Sequence, residues 1–143
     1  MLPIINMRLA HPEVLIDISG LQVLTGIDVV GDTLGVLTTH RMLETTQLRA
    51  VCPLLTDLAP FIALLAVRFR GTRGGFLVHA DPSAKWSMAV ATLRTAIELA
   101  SSAGVRRLSA EEFFLRMLVT ALAPDEILWR VAFPVLAPEP VWR

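Results

Sequence analysis

The longest uncharged apolar run in this chain is Leu58 to Val67, bounded by Asp57 and Arg68. A membrane-spanning helix needs roughly 20 such residues. The run is too short for that, although 54% of the residues are hydrophobic, so a buried core helix fits it better. Apolar content cut into short pieces implies several short elements around a shared core. A length of 143 residues suits one such domain.

Charge narrows the function classes. Thirteen Lys plus Arg balance thirteen Asp plus Glu, and no tail or stripe is strongly basic. A dedicated nucleic-acid binder needs a positive footprint, so that class is set aside. The opening MLPIINMR lacks a basic region followed by a long apolar run, and no signal peptide is expected. Cys52 is the single cysteine and can form no internal disulfide. A reducing, cytoplasmic compartment is the expectation, with Cys52 an inert core thiol before Pro53.

Short β-type runs open the chain. Val14 to Ile18 reads VLIDI and is broken by Ser19-Gly20. Ile27 to Val30 and Leu34 to Leu37 flank the turn signal Gly31-Asp32, which predicts a hairpin. Thr39 is placed to cap a helix from His40 to about Thr45. From Thr46 to Leu65, Leu48, Val51, Leu55, Leu58 and Ile62 share one helical face. Pro53 and Pro60 divide that stretch into two short helices.

Arg68 to Pro82 reads RFRGTRGGFLVHADP, and its three glycines and closing proline argue against a regular helix. Ala84 to Thr92 is helical in pattern. Thr95 to Ser101 is ambiguous: its Ala, Leu and Glu favour helix, while the alternation of Ile97 and Leu99 allows a strand. In the second case Gly104 to Leu108 supplies the hairpin partner. Ser109 and Glu112 form a capping box for a short helix at Phe113-Phe114. Pro124-Asp125 makes a turn. Ile127 to Phe133 is a final strand with Ile127, Trp129, Val131 and Phe133 on one side. The fold class is therefore α+β: a small antiparallel sheet with helices packed on one face. One domain spans 1–134, and 135–143 is a Pro-rich tail.

Few residues offer chemistry. Gly71-Thr72-Arg73-Gly74-Gly75 is either an ordinary tight turn or a concavity of backbone amides for a pyrophosphate. The lysine of a P-loop is missing at the right spacing, and no GxGxxG is present. His79 and Asp81 are two residues apart, as ligands or an acid–base pair can be. Histidines occur only at 11, 40 and 79, without metal-like spacing, so no metal site is expected. No serine sits in a nucleophile elbow. Trp86, Trp129 and Trp142 read as core or interface anchors. Arg68, Arg70 and Arg73 are a solvated face, a phosphate contact or a partner surface.

The stretch VRFRGTRGGFLVHADPSAK resembles, without a gap, the segment IRNRGTIGGSLAHADPAAE of the flavin-binding subunits of molybdenum hydroxylases. MRLAHPEVLIDISGL, LGVLTTHRMLE, LSAEEFF and LAPDEILWRVAFP are similar to further segments of that family, in the same order. The resemblance covers Met7 to Pro134. It implies the middle subdomain of an FAD-binding subunit of the carbon monoxide and xanthine dehydrogenase type. Thr72, Gly74 and Gly75 would then contact the FAD diphosphate. Phe76 to Ala84, with His79, Ala80 and Asp81, would run along the ribityl chain and ring. Thr38 and Leu128 would lie near the flavin. Arg73, Phe76 and Lys85 depart from the family pattern. Arg73 and Lys85 would add anion affinity, whereas Phe76 and Lys85 would alter the cofactor's surroundings.

The resemblance also implies partners. Molybdenum and iron–sulfur subunits, or further copies of the chain, are expected, and neither nucleic acid nor membrane. An AGGxS-type loop, absent before Met7, would come from a partner. Electrons would pass from iron–sulfur clusters through FAD to an outside acceptor, and the isolated chain would not be catalytic. The alternative is a scaffold or interaction domain that has lost FAD.

Overall fold

The computed structural model describes residues 5–28, 33–35, 37–39, 52–58, 61 and 71–133. Among them, β1 (Ile27–Asp28), β2 (Thr33–Gly35), β3 (Ala96–Ser101), β4 (Gly104–Ser109) and β7 (Ile127–Ala132) form one sheet in the order β1-β2-β7-β3-β4. All four pairings are antiparallel. A separate hairpin joins β5 (Phe114–Arg116) to β6 (Val119–Thr120). The helices are α1 (Pro53–Leu58), α2 (Arg73–His79), α3 (Lys85–Thr92) and α4 (Ala110–Phe113). This is the expected α+β architecture.

Alternation decides the ambiguous segment. Ile97 and Leu99 are fully buried, and Ala96, Glu98 and Ala100 are half-buried. Helical propensity favours Ala and Glu by only tenths of a kcal/mol per residue. Burying Ile97 and Leu99 together outweighs it, at roughly 1.5–3 kcal/mol for each side chain. The β3–β4 turn needs only Ser102 and Ala103, because Gly104 adopts φ +133, which glycine tolerates without steric cost.

The inner sheet face carries Ile97, Leu99, Leu128 and Val131. Against it pack Leu77 of α2, Trp86 and Val90 of α3, and Phe113 of α4. Leu55 of α1 joins the same cluster. On the other face Glu98 lies in register between Arg107 and Arg130, an arrangement of opposite charges that suits a wetted surface.

The last strand departs from expectation. Its buried residues are Leu128 and Val131, while Ile127 is exposed and Trp129 half-buried. Between Glu98 and Leu99 the β7 partner steps from Arg130 to Leu128 and skips Trp129. That bulge reverses the sidedness of the strand's first residues. Straight alternation therefore placed Val131 and Phe133 correctly and Ile127 on the wrong side.

Two further expectations are corrected. Val14 to Ile18 forms no strand among the described residues. Arg73 to His79 is helical in spite of Gly74 and Gly75. Thr72 caps this helix, accepting a hydrogen bond from the Gly75 amide at 3.3 Å, and Leu77 anchors it in the core. A cap contributes about 1 kcal/mol, and burying a leucine more. Together they offset roughly 1 kcal/mol per glycine.

Other elements form as read. The strands of the first hairpin pair Ile27 with Leu34. Helix α1 begins at Pro53, where the missing N–H costs nothing. Ser109 and Glu112 form the complete capping box, with bonds of 3.2 and 2.7 Å. Cys52 is buried, and burial raises its thiol pKa. The turn at Gly31-Asp32, the helix from His40, the second helix after Pro60 and the Pro-rich tail lie outside the described residues.

One ion pair fastens the loop before β7. Arg106 donates from Nε to Glu126 Oε1 at 2.6 Å and from Nη2 to Oε2 at 2.8 Å. Arg106 Nη2 also donates to the Ala121 carbonyl, and the Ala123 amide donates to Glu126. The Arg106 and Ala123 hydrogen bonds hold the Glu126 carboxyl down at about 2, against an ordinary 4.5. A depressed carboxylate contributes stability above its unfolded pKa and loses it as pH falls through the folded one. The thermal midpoint should therefore drop as pH is lowered from about 4.5 towards 2. In Glu126→Gln that part of the curve should flatten, as thermal melts across an acid pH series would show.

Candidate functional site

The glycine loop is built against a distant segment. Thr39 and Thr72 form an isolated antiparallel bridge. The Arg73 amide donates to the Thr38 carbonyl at 3.3 Å, and Arg73 Nη2 donates to the Thr39 carbonyl at 3.2 Å. Residues 34 apart in sequence thus meet at the start of α2. Thr38 is itself pinned. Its hydroxyl donates to the Gly26 carbonyl at 2.7 Å and accepts from the Gly26 amide at 3.0 Å. Gly26 adopts φ +113, a conformation that side chains resist.

The amides in the first turn of α2 are mostly engaged. Gly75 spends its own on Thr72 Oγ1. The Phe76 amide donates to the Thr72 carbonyl. No hydrogen bond joins the Gly74 amide to another described residue, and Gly74 is buried. Gly75 is exposed, and a Cβ there would sit 3.2 Å from Thr72 Oγ1. Glycine here keeps both the cap and the approach to the turn open. The Phe76 ring is half-buried and packs against the core cluster.

Arg73 is not a solvated face. It is 1% exposed, with its guanidinium carbon 4.9 Å from the centre of the Trp86 ring. Nε and Nη1 are buried without hydrogen-bond partners, and burial pushes the guanidinium pKa well below its ordinary value. The side chain therefore braces the loop from the core side, through Thr39 and Trp86.

The remaining residues fall into a second group. His79 ends α2, and a seven-residue helix separates it from Arg73 by roughly 9 Å. Ala80 caps the helix at φ +50, and its carbonyl accepts from the Leu118 amide at 3.0 Å. Asp81 Oδ1 accepts from the Ser83 amide at 2.8 Å and hydroxyl at 2.7 Å. Those bonds, with a smaller effect of His79, lower its carboxyl pKa. Lys85 donates to the Phe61 carbonyl at 3.1 Å. Leu128 is buried in the sheet. The structure thus joins Thr38 to Thr72, Arg73, Gly74, Gly75 and Phe76, and sets His79, Ala80, Asp81 and Lys85 at the far end of α2.

Sequence reasoning missed Gly26 and the Thr39 carbonyl as supports, and read Trp86 as a core anchor without placing Arg73 over it. The Thr25-Gly26 pair was the available signal for the first. No group of three or more His, Cys, Asp or Glu able to hold a metal occurs among the described residues. No helix among them is long and apolar enough to cross a membrane.

Residues 1–136 match the family described as FAD binding domain in molybdopterin dehydrogenase. The chain belongs to this family. It is 34% identical over 137 residues to the nicotine 6-hydroxylase medium subunit of Paenarthrobacter nicotinovorans, covering 94% of this chain and 48% of that one. It is 31% identical over 138 residues to the carbon monoxide dehydrogenase medium chain of Afipia carboxidovorans, covering 94% and 48%. Among solved structures, quinoline 2-oxidoreductase from Pseudomonas putida 86 superposes with a TM-score of 0.90 at 37% identity, covering 95% of this chain and 49% of that one. The chain spans about half the length of the curated relatives it matches.

The unpaired guanidinium yields a stability prediction. Each unpaired buried donor costs roughly 1–3 kcal/mol, and desolvating the charge adds to that. The bond to Thr39 and the ring contact each return about 2 kcal/mol. Arg73→Met keeps the length and removes the charge, and should raise stability by on the order of 1 kcal/mol. Thr72→Ala removes the cap and should cost about 1 kcal/mol. Chemical denaturation of both variants checks the opposite signs.

Proposed function

We propose that this chain forms one wall of an FAD site in the flavin subunit of a molybdenum hydroxylase. The observation that carries the reading is the match of residues 1–136 to the FAD binding domain family, with the capped turn from Thr72 to Gly75 inside it. The start of such a turn carries a favourable dipole end for a diphosphate. Thr72 fixes the turn. Thr38 and Arg73 hold it against the first hairpin, so the amides need no rearrangement on binding. Bound flavin would supply the redox chemistry, a relay of electrons from iron–sulfur clusters to an outside acceptor. The protein's part is to hold the diphosphate and to orient the ring.

The completed subunit needs the chain that the relatives carry beyond the matched half, and molybdenum and iron–sulfur subunits beside it. Relatives named for nicotine, carbon monoxide and quinoline share this fold. Substrate choice therefore lies elsewhere in such an enzyme. A reducing cytoplasmic setting suits the lone buried Cys52. The alternative, a scaffold that has lost FAD, is favoured by Lys85, whose ammonium is engaged by the Phe61 carbonyl and can only donate.

FAD titration tests the choice, with flavin absorbance and fluorescence read on the chain alone and with the remaining residues of the nicotine 6-hydroxylase medium subunit supplied separately. Gly75→Glu places a carboxylate beside the turn, where it repels a diphosphate, and its Cβ crowds Thr72 Oγ1 at 3.2 Å. It should weaken FAD binding by about tenfold or more, equal to roughly 1.4 kcal/mol. Protein that ignores FAD under both conditions leaves the scaffold reading.

A further inference from the structure

Bracing a loop does not by itself account for the charge of Arg73. The guanidinium is buried, and of its nitrogens only Nη2 has a hydrogen-bond partner, the Thr39 carbonyl. Among the described residues no carboxylate pairs with it, and burial alone pushes its pKa down. Arginine keeps its proton even in such surroundings. The Trp86 ring face, 4.9 Å away, attracts the cation but does not neutralise it. A unit positive charge therefore stands in the core with no opposite charge against it.

That charge lies directly behind the glycine turn. Nη2 is 3.2 Å from the Thr39 carbonyl, and Thr39 is bridged to Thr72. Facing residues of an antiparallel bridge are roughly 5 Å apart, which puts the guanidinium within roughly 10 Å of Thr72. Gly75 in the same turn is exposed, so a ligand can approach the turn from outside. Solvent and salt screen a surface charge strongly and a buried one far less. Lys85, the other cation expected to attract an anion, is exposed, and its field is damped accordingly. Arg73 is placed to act on an anion that it does not touch.

We propose that Arg73 is a specificity-determining residue that draws a diphosphate anion to the 72–75 turn from within the core, through its unneutralised charge rather than by contact. The inference rests on the reading of that turn as a diphosphate contact and on nothing about the flavin ring. A unit charge roughly 10 Å from an anion, at intermediate dielectric, changes affinity by about tenfold. The further charge of a diphosphate enlarges the effect. The coupling is mutual, since an anion at the turn supplies the counter-charge that the buried guanidinium lacks.

The test follows the thermal midpoint of the chain against rising inorganic pyrophosphate, and separately against FAD. A ligand that binds the folded chain raises the midpoint. Wild type is compared with Arg73→Met, which has neither charge nor donor, and with Arg73→Gln, which loses the charge but keeps an N–H for the Thr39 carbonyl. Pyrophosphate should raise the wild-type midpoint, and both variants should need at least about tenfold more of it for the same rise. Equal responses in wild type and Arg73→Met would be general salt stabilisation and overturn the proposal. So would a wild type that ignores pyrophosphate, or a wild-type response in Arg73→Gln, which would leave Arg73 a brace and no more. The FAD arm separates the two readings. A charge-dependent pyrophosphate response with none to FAD sinks the flavin reading and leaves the anion site standing. An FAD response that Arg73→Met keeps in full does the reverse.

Discussion

The hydrogen bonds between Thr38-Thr39 and Thr72-Arg73 hold the site together. They join the end of the first hairpin to the start of α2. Without them the glycine loop would have only its own cap to define it. With them, the first turn of the helix has a fixed direction relative to the sheet, because β2 pairs with β7 and β7 lies at the sheet's centre. The chain of support runs from Gly26 through Thr38 to Arg73, and each step is a hydrogen bond of 3.3 Å or less.

The energetics around Arg73 show how this seam is stabilised at a cost. A guanidinium in the core is an expensive brace, and most of its donors are unused. What it offers is reach, since it touches Thr39 and lies over Trp86 at once. An aliphatic side chain there would fill space without bonding the neighbouring backbone. The same residue therefore trades stability for the register of a loop, a trade common where a site must be preorganised.

Much of this was legible in the residues and some was not. Ser109 and Glu112 announced their helix because capping is a local interaction between neighbours three apart. The hairpin of β3 and β4 was legible only as one of two options, since its decisive term is burial against distant helices. Helix α2 was misread because glycine content is a local quantity, while the Leu77 anchor and the seam to Thr38 are not. The sidedness of Ile127 was misread because a bulge depends on the neighbouring strand. At the site, order and spacing flagged Thr72, Gly74 and Gly75, but nothing local distinguished a buried Arg73 from a solvated one.

The link between Ala80 and Leu118 bears on more than the end of a helix. Both residues adopt left-handed backbone, at φ +50 and +59, and one hydrogen bond joins them. Each conformation costs a non-glycine residue roughly 1–2 kcal/mol. That strain makes the β5–β6 hairpin a clamp on the chain reversal between α2 and α3. An opening of the hairpin would remove one of the bonds on Ala80, leaving its amide bond to Leu77 and the Asp81–Ser83 turn to hold the reversal. A small ribbon far along the sequence is thereby tied to the segment that carries His79 and Asp81.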